Sequence, residues 1–206
     1  IEELKFGGEK INDRSLIDLT KFPNLHTLYL GSSKITDAGL KHLQSMRKLQ
    51  KLVLFNTGIN GSGLIHLKAL DKLRILNLKS TQVTDDNLAH LNLLSNLQEL
   101  NLSSTKITNN GLIHLKNLPE LNSLILPSQI SKSGLIHLKN ISNLKKLIIT
   151  NPESDNDLSY IKSLDKLEIL HLGYTNIASS LFHLKKSKNL KEIYLDATNI
   201  SDNDLI

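Results

Sequence analysis

Hydrophobic positions along this chain follow two rhythms in turn, and the pair of rhythms recurs throughout. In residues 25–48, Leu28 and Leu30 enclose one intervening residue, which is the period of a short strand. Ile35, Leu40, Leu43 and Met46 then fall at roughly helical spacing. Whole words return unchanged. GLIHLK stands at 63–68, 111–116 and 134–139, with GLKHL at 39–43. Between them lie LYL at 28–30, LVL at 52–54, LNL at 76–78 and 100–102, and LHL at 170–172.

In-phase alignment divides residues 1–206 into nine units, starting at Ile1, Leu25, Leu49, Leu73, Leu97, Leu121, Leu144, Leu167 and Leu190. The first five periods are 24 residues and the next three are 23, with the consensus LxxLxLxxTxITDxGLxHLxxLxx. A unit of this kind has one apolar side and cannot bury it alone, so neighbours must stack. The expected architecture is one α/β domain, a curved solenoid with a parallel sheet on its concave face and short helices on its convex face. Strands are expected about 4.8 Å apart. Thr36 or Asp37 is expected to cap the helix of its unit. Gly39, Gly63, Gly111 and Gly134 are expected where backbones approach closely.

The repeated pattern resembles the leucine-rich-repeat family over the entire chain. ITDxGL resembles the cysteine-containing subclass found in F-box-associated proteins, and related bacterial repeats. This sequence departs from that subclass in placing Thr where it has Cys. The resemblance implies a scaffold that recognises a macromolecular partner. Its alternative form is a recognition module of a larger effector or ubiquitin-ligase-type protein, whose catalytic or adaptor domain lies outside these residues. Ile1, Leu4 and Phe6 begin in phase, and Ile200 and Leu205 stay apolar, so capping structure is expected beyond both ends.

Three repeating columns carry reactive side chains, and each has a structural explanation. Ser33, Thr57, Thr81, Thr105, Thr175 and Thr198 occupy a loop position where a hydroxyl can bond neighbouring backbone. No general base accompanies them. His42, His66, His90, His114, His137 and His183 form a ladder that invites a metal hypothesis. However, Asp18 and Tyr160 hold the same position, so the column is expected to be half-buried, bonding backbone between helices. Asp37 and Asp85 exchange with Asn60 and Asn109, which acid–base chemistry could not accept but N-capping could, so they are expected to be helix caps. No phosphate loop, dinucleotide fingerprint, HExxH or GxSxG is present. No catalytic residue, metal site or cofactor is expected, and the chain reads as a non-enzyme.

Composition narrows the reading further. Apolar residues are 39% of the chain but aromatics only 4%, so the core must be built from Leu and Ile. The absence of Cys excludes disulfides and thiol chemistry. The net charge of +5 comes from scattered Lys, with Arg only at Arg14, Arg47 and Arg74, which argues against nucleic acid as partner. No apolar run approaches the roughly 18 residues of a membrane span, and residues 1–10 carry no signal-peptide pattern. Localisation stays open between bacterial cytoplasm and a secreted effector.

With the core columns committed to folding, specificity must lie in outward positions of the strands. The residue between the two inward leucines is Lys5, Tyr29, Val53, Asn77, Asn101, Ile125, Ile148, His171 and Tyr194 in turn. The next outward column includes Gly31, Phe55, Lys79, Ser103, Pro127 and Asp196, with Tyr174 just beyond Gly173. Two apolar groups emerge as the expected protein-binding surface. Tyr29, Val53 and Phe55 form the first, and Ile125, Ile148, His171, Tyr174 and Tyr194 the second. Asn77, Asn101, Lys79, Ser103 and Ser104 are expected to separate them. Exposed aromatics flanked by polar residues have the composition of binding hot spots. The irregular repeats, with Pro127, TNPESDND at 150–157 and a deletion after Ile177, lie beside the second group.

Overall fold

Each of the first eight repeats runs along one face of the molecule as a strand and returns behind it as a short helix, and the ninth contributes a further strand. The computed structural model describes residues 1–150, 158–174, 178–198 and 200–201. Its main sheet is parallel, with nine strands in strict chain order. They are β1 (Glu3–Lys5), β2 (Thr27–Tyr29), β3 (Lys51–Val53), β4 (Ile75–Asn77), β5 (Glu99–Asn101), β6 (Ser123–Ile125), β7 (Lys146–Thr150), β8 (Ile169–Gly173) and β9 (Glu192–Tyr194). Gly8–Asn12 and Ser33–Lys34 pair separately at one edge.

Register follows the repeat. Leu4 pairs with Leu28, Leu28 with Leu52, Leu52 with Leu76, and so on to Leu170 with Ile193. One carbonyl ahead of each strand fixes this alignment by accepting two N–H groups from the next unit. His26 O takes Gln50 and Lys51 N–H at 2.8 and 3.0 Å, and Gln50 O takes those of Arg74 and Ile75 at 2.8 and 2.9 Å. A one-residue slip would turn buried Leu28 and Leu30 outward, so burial enforces the same register. The core is a continuous ladder of Leu and Ile between the sheet and the helical back.

The back is tighter than the helical rhythm suggested. Asp37–Leu40, Asp85–Leu88 and Lys132–Leu135 are single α turns that run directly into 3₁₀ segments, Lys41–Ser45, Ala89–Leu93 and Ile136–Asn140. Ser62–Ala69 and Asn109–Asn117 are 3₁₀ throughout. The spacing explains it: Leu40, Leu43 and Met46 recur every three residues, as do Leu64, Leu67 and Leu70. Three residues per turn aligns such a row on one face, whereas 3.6 would rotate it out of the core.

The expected caps at Asp37 and Asp85 do a different job. Asp37 reaches into the following unit, where its carboxylate accepts the Asn60, Gly61 and Gly63 N–H groups at 2.7, 3.0 and 2.7 Å. Asp85 accepts from Thr108 N–H and hydroxyl, and Asp13 does the same for Thr36. Asn109 accepts Ser131 N–H at 2.9 Å. Thr36 makes no side-chain cap, although Thr108 accepts Asn110 N–H at 3.3 Å. Carboxylate and amide oxygens can both accept, so Asn109 can stand in for Asp, whereas Asn60 accepts Ser62 N–H at 3.0 Å in its own unit, as a cap does.

This cross-unit contact also explains the glycine column. A Cβ at Gly39 would collide with the Asp13 carboxylate, and one at Gly111 with that of Asp85. The fourth unit breaks the rule by carrying Asn87 there. Asn87 Oδ1 accepts Thr84 N–H at 3.0 Å, so its own unit supplies the bond the preceding Asn60 does not. Room for Asn87 comes from Gly61, whose φ of +104° and missing Cβ leave that space open.

Candidate binding face

Sheet register brings the outward column into one line. Tyr29 lies beside Val53, Val53 beside Asn77, Asn77 beside Asn101, Asn101 beside Ile125, Ile125 beside Ile148, Ile148 beside His171, and His171 beside Tyr194. Columns that fill the core or loops are thereby excluded from this face. The Ser/Thr column is one: Thr57, Thr81 and Thr105 hydroxyls donate to the carbonyls of Leu54, Leu78 and Leu102 at 2.6–2.7 Å. The same bond joins Ser33 to Leu30 and Thr198 to Leu195, while Thr175 lies outside the described residues.

The histidine column is half-buried on the helical back, as its exchange with Tyr160 implied. At His66 the polar contact differs from expectation. His66 Nδ1 meets the Gln44 side-chain amide of the preceding unit at 2.7 Å, rather than a backbone group. Among the described residues, no three His, Asp or Glu side chains gather in a way that could hold a metal ion.

At one end of the sheet face, Tyr29 is half-buried between two ammonium groups. Lys5 and Lys51 Nζ each lie 5.1 Å from its ring centroid, an attraction to the π face. The Glu3 carboxylate, bonded to Lys5 at 2.7 Å, raises the Lys5 pKa. Phe55 lies across Gly31, where any Cβ would intrude into its ring, and stays 38% exposed. Val53, expected as a contact residue, is only 5% exposed. With Tyr29 and Asn77 beside it in register and Phe55 two residues on, little of its surface is left for a partner. What remains exposed still forms part of the groove lining described below.

Asn77 and Asn101 stand between the two apolar groups in the register, and they also line a groove that bridges them. A groove of about 380 Å³ runs from Tyr29 and Phe55 across Asn77 and Asn101 to Ile125. Asn77 Oδ1 accepts Lys79 N–H at 2.9 Å, and Asn101 Oδ1 accepts Ser103 N–H and hydroxyl at 3.0 and 2.7 Å. Those bonds orient both amides, and among the described residues neither Nδ2 has a hydrogen-bond partner. Lys51, Ile75, Glu99 and Ser123 line it too, a column absent from the sequence expectation. Two-residue alternation could have found it, because Ile75 and Asn77 flank inward Leu76 symmetrically.

At the far end, Ile148 is half-buried between Ile125 and His171. The His171 ring sits 5.3 Å from that of Tyr194, with its Nε2 2.9 Å from Asp196 Oδ2. Tyr194 is 46% exposed and its hydroxyl donates to Glu192 Oε2 at 2.7 Å, which raises the phenol pKa. Tyr174 is 66% exposed and adopts φ +60°. Equivalent loop positions hold Ser32, Asn56, Ser80 and Ser104, also with positive φ. Pro127 is buried. The TNPESDND irregularity beyond Thr150 and the deletion after Ile177 lie outside the described residues.

A family model described as Leucine Rich repeat matches residues 23–43 and 94–116. Among solved structures, the chain is similar to internalin C2 of Listeria monocytogenes, with 29% identity and a TM-score of 0.71. That match covers 95% of this chain and 80% of the other. A search of curated proteins gives no match. Among the described residues, no helix is long and apolar enough to cross a membrane.

Proposed function

Because the chain belongs to the leucine-rich-repeat family, we propose that it is a protein-binding scaffold whose concave sheet face recognises a polypeptide partner. The observation that carries this reading is the groove between Tyr29 and Ile125. Apolar side chains, Tyr29, Phe55, Ile75 and Ile125, surround a floor where Asn77 and Asn101 offer amide N–H donors. Glu99 and Ser123 add acceptors at the same floor. A polypeptide has both components that such a surface needs: apolar side chains for the walls and backbone carbonyls for the donors.

Electrostatics favour a mixed rather than a uniformly charged partner. Lys5 and Lys51 flank Tyr29 at one end, while Glu192 and Asp196 flank Tyr194 and His171 at the other. A complementary segment would carry acidic groups towards the Tyr29 end and basic groups towards Tyr194, giving direction as well as affinity.

Site-specific photo-crosslinking tests this. A benzophenone amino acid at Phe55 or Ile125 is expected to capture the same polypeptide from the native milieu. The same group at Leu93, 60% exposed on the helical back, is expected not to capture it. Capture only from Leu93, or of unrelated species from the two groove positions, would overturn the assignment.

A further inference from the structure

We propose a second docking site on the opposite, helical back: a notch that accepts an acidic polypeptide segment carrying one bulky apolar side chain. It rests on observations separate from the sheet face. The residue before each histidine in the helical words forms a row along the back. Ile113, Ile136 and Phe182 in that row are 42%, 52% and 57% exposed. The seventh unit interrupts the row with Ser159, a much smaller side chain. The interruption leaves a cavity of about 280 Å³, walled by Ile136, floored by Tyr160 and rimmed by Lys132, Lys139 and Lys162. Such a volume accommodates a Leu or Phe side chain.

Charge selects the chemistry around that side chain. The helices Asn109–Asn117, Lys132–Leu135, Ile136–Asn140, Leu158–Ser163 and Ala178–Lys186 contain no Asp or Glu, yet carry Lys116, Lys132, Lys139, Lys162 and Lys185. Asp155 and Asp157, before Leu158, lie outside the described residues. By contrast, the helices of the first, second and fourth units carry Asp13, Asp18, Asp37, Asp85 and Asp86. Of the earlier units only the third, with Ser62–Ala69, also lacks an acidic residue in its helix, and it carries Lys68 alone, so lysine unopposed by carboxylates is concentrated in the C-terminal half of the back. Lysine ammonium groups without arginine forks suit carboxylates presented by a mobile segment rather than fixed bidentate geometry. The notch favours an anchored side chain over a flat lipid surface, and among the described residues no row of stacking aromatics suits nucleic acid.

The test is selection from a displayed library of random 12-residue peptides against the whole chain. Enriched peptides are expected to place Phe or Leu among several Asp or Glu, and to lose affinity steeply with added salt. Lys139→Glu/Lys162→Glu is expected to weaken them at least tenfold without changing the melting temperature. Ser159→Phe, which restores the interrupted row, is expected to do likewise. Ile125→Asp on the sheet face is expected to leave them bound, so failure here and failure of the sheet-face reading stay distinguishable. Peptides with no acidic bias, or unaffected by both back variants, would overturn the proposal. So would sedimentation with phosphatidylserine-containing vesicles that the charge reversal abolishes, because it assigns the face to membrane. Self-association abolished by the same reversal would overturn it in favour of a second copy.

Discussion

The bond each buried hydroxyl makes, and the backbone angle each loop residue adopts, decide which single substitutions this chain tolerates. Thr81 is fully buried and donates to Leu78 O at 2.6 Å, so Thr81→Val strands that carbonyl. The expected loss is about 1–2 kcal/mol in denaturant unfolding. Thr57→Ser keeps the donor, as Ser33 does naturally, and is expected to lie within about 0.5 kcal/mol of the parent. Tyr174 presents the opposite case. A left-handed backbone costs an ordinary side chain roughly 1–2 kcal/mol, a cost Asn lowers by bonding locally. Tyr174→Asn, imitating Asn56, is expected to raise the melting temperature, and a fall would show that the ring supports the fold. The hydroxyl column was legible because Ser33 and five threonines share that position without a partner base. The strain at Tyr174 was not, because nothing in the order of letters reports φ.

Between elements, the principal polar ties run from one unit to the next rather than within a helix. Asp37 accepts three backbone N–H groups of the third unit, so Asp37→Ala is expected to cost about 2–4 kcal/mol, more than ordinary loss of a helix cap. Asn60→Ala removes only a bond to Ser62 N–H in its own unit and is expected to cost under about 1 kcal/mol. The exchange of Asp and Asn was visible in the sequence, but its span was not, since a cap and a cross-unit acceptor favour the same residues. Likewise the three-residue spacing of Leu40, Leu43 and Met46 already contained the 3₁₀ period. Short rows do not separate three from 3.6 without the packing partner. Glu168 ties three units together, meeting Lys191 at 2.6 Å and Lys145 at 3.4 Å, and both hold its carboxyl below its usual pKa. A lowered folded pKa contributes stability that is present above the unfolded value near 4.5 and lost as pH falls through the folded value. Acid titration of wild type against Glu168→Gln should therefore show curves that differ at neutral pH and converge in acid. Curves that remain parallel would remove the tie.

Over the whole molecule, one repeated unit yields two faces with different freedom to vary. Core columns repeat because stacking demands it, while Tyr29, Phe55, Asn77, Asn101 and Ile125 differ from one another because only outward positions escape that demand. This contrast makes the sheet face legible in the sequence. Sequence order could not show that Phe55 folds over Gly31, that Val53 is thereby left 5% exposed, or that the polar stretch is a groove floor. Those facts depend on side-chain direction across neighbouring strands. They also move the decisive residues towards the middle of the sheet. Binding and stability should therefore separate under mutation. The most direct measurement is calorimetric affinity for the crosslinked partner, paired with denaturant unfolding, for Phe55→Ala, Ile125→Ala and Tyr194→Ala against Leu93→Ala. A recognition face requires at least one groove variant to lose about 2 kcal/mol or more of binding, roughly a thirtyfold change, while each loses only about 1 kcal/mol of stability. Unchanged affinity in all three sheet-face variants, with a loss in Leu93→Ala, would contradict the concave face as the binding surface.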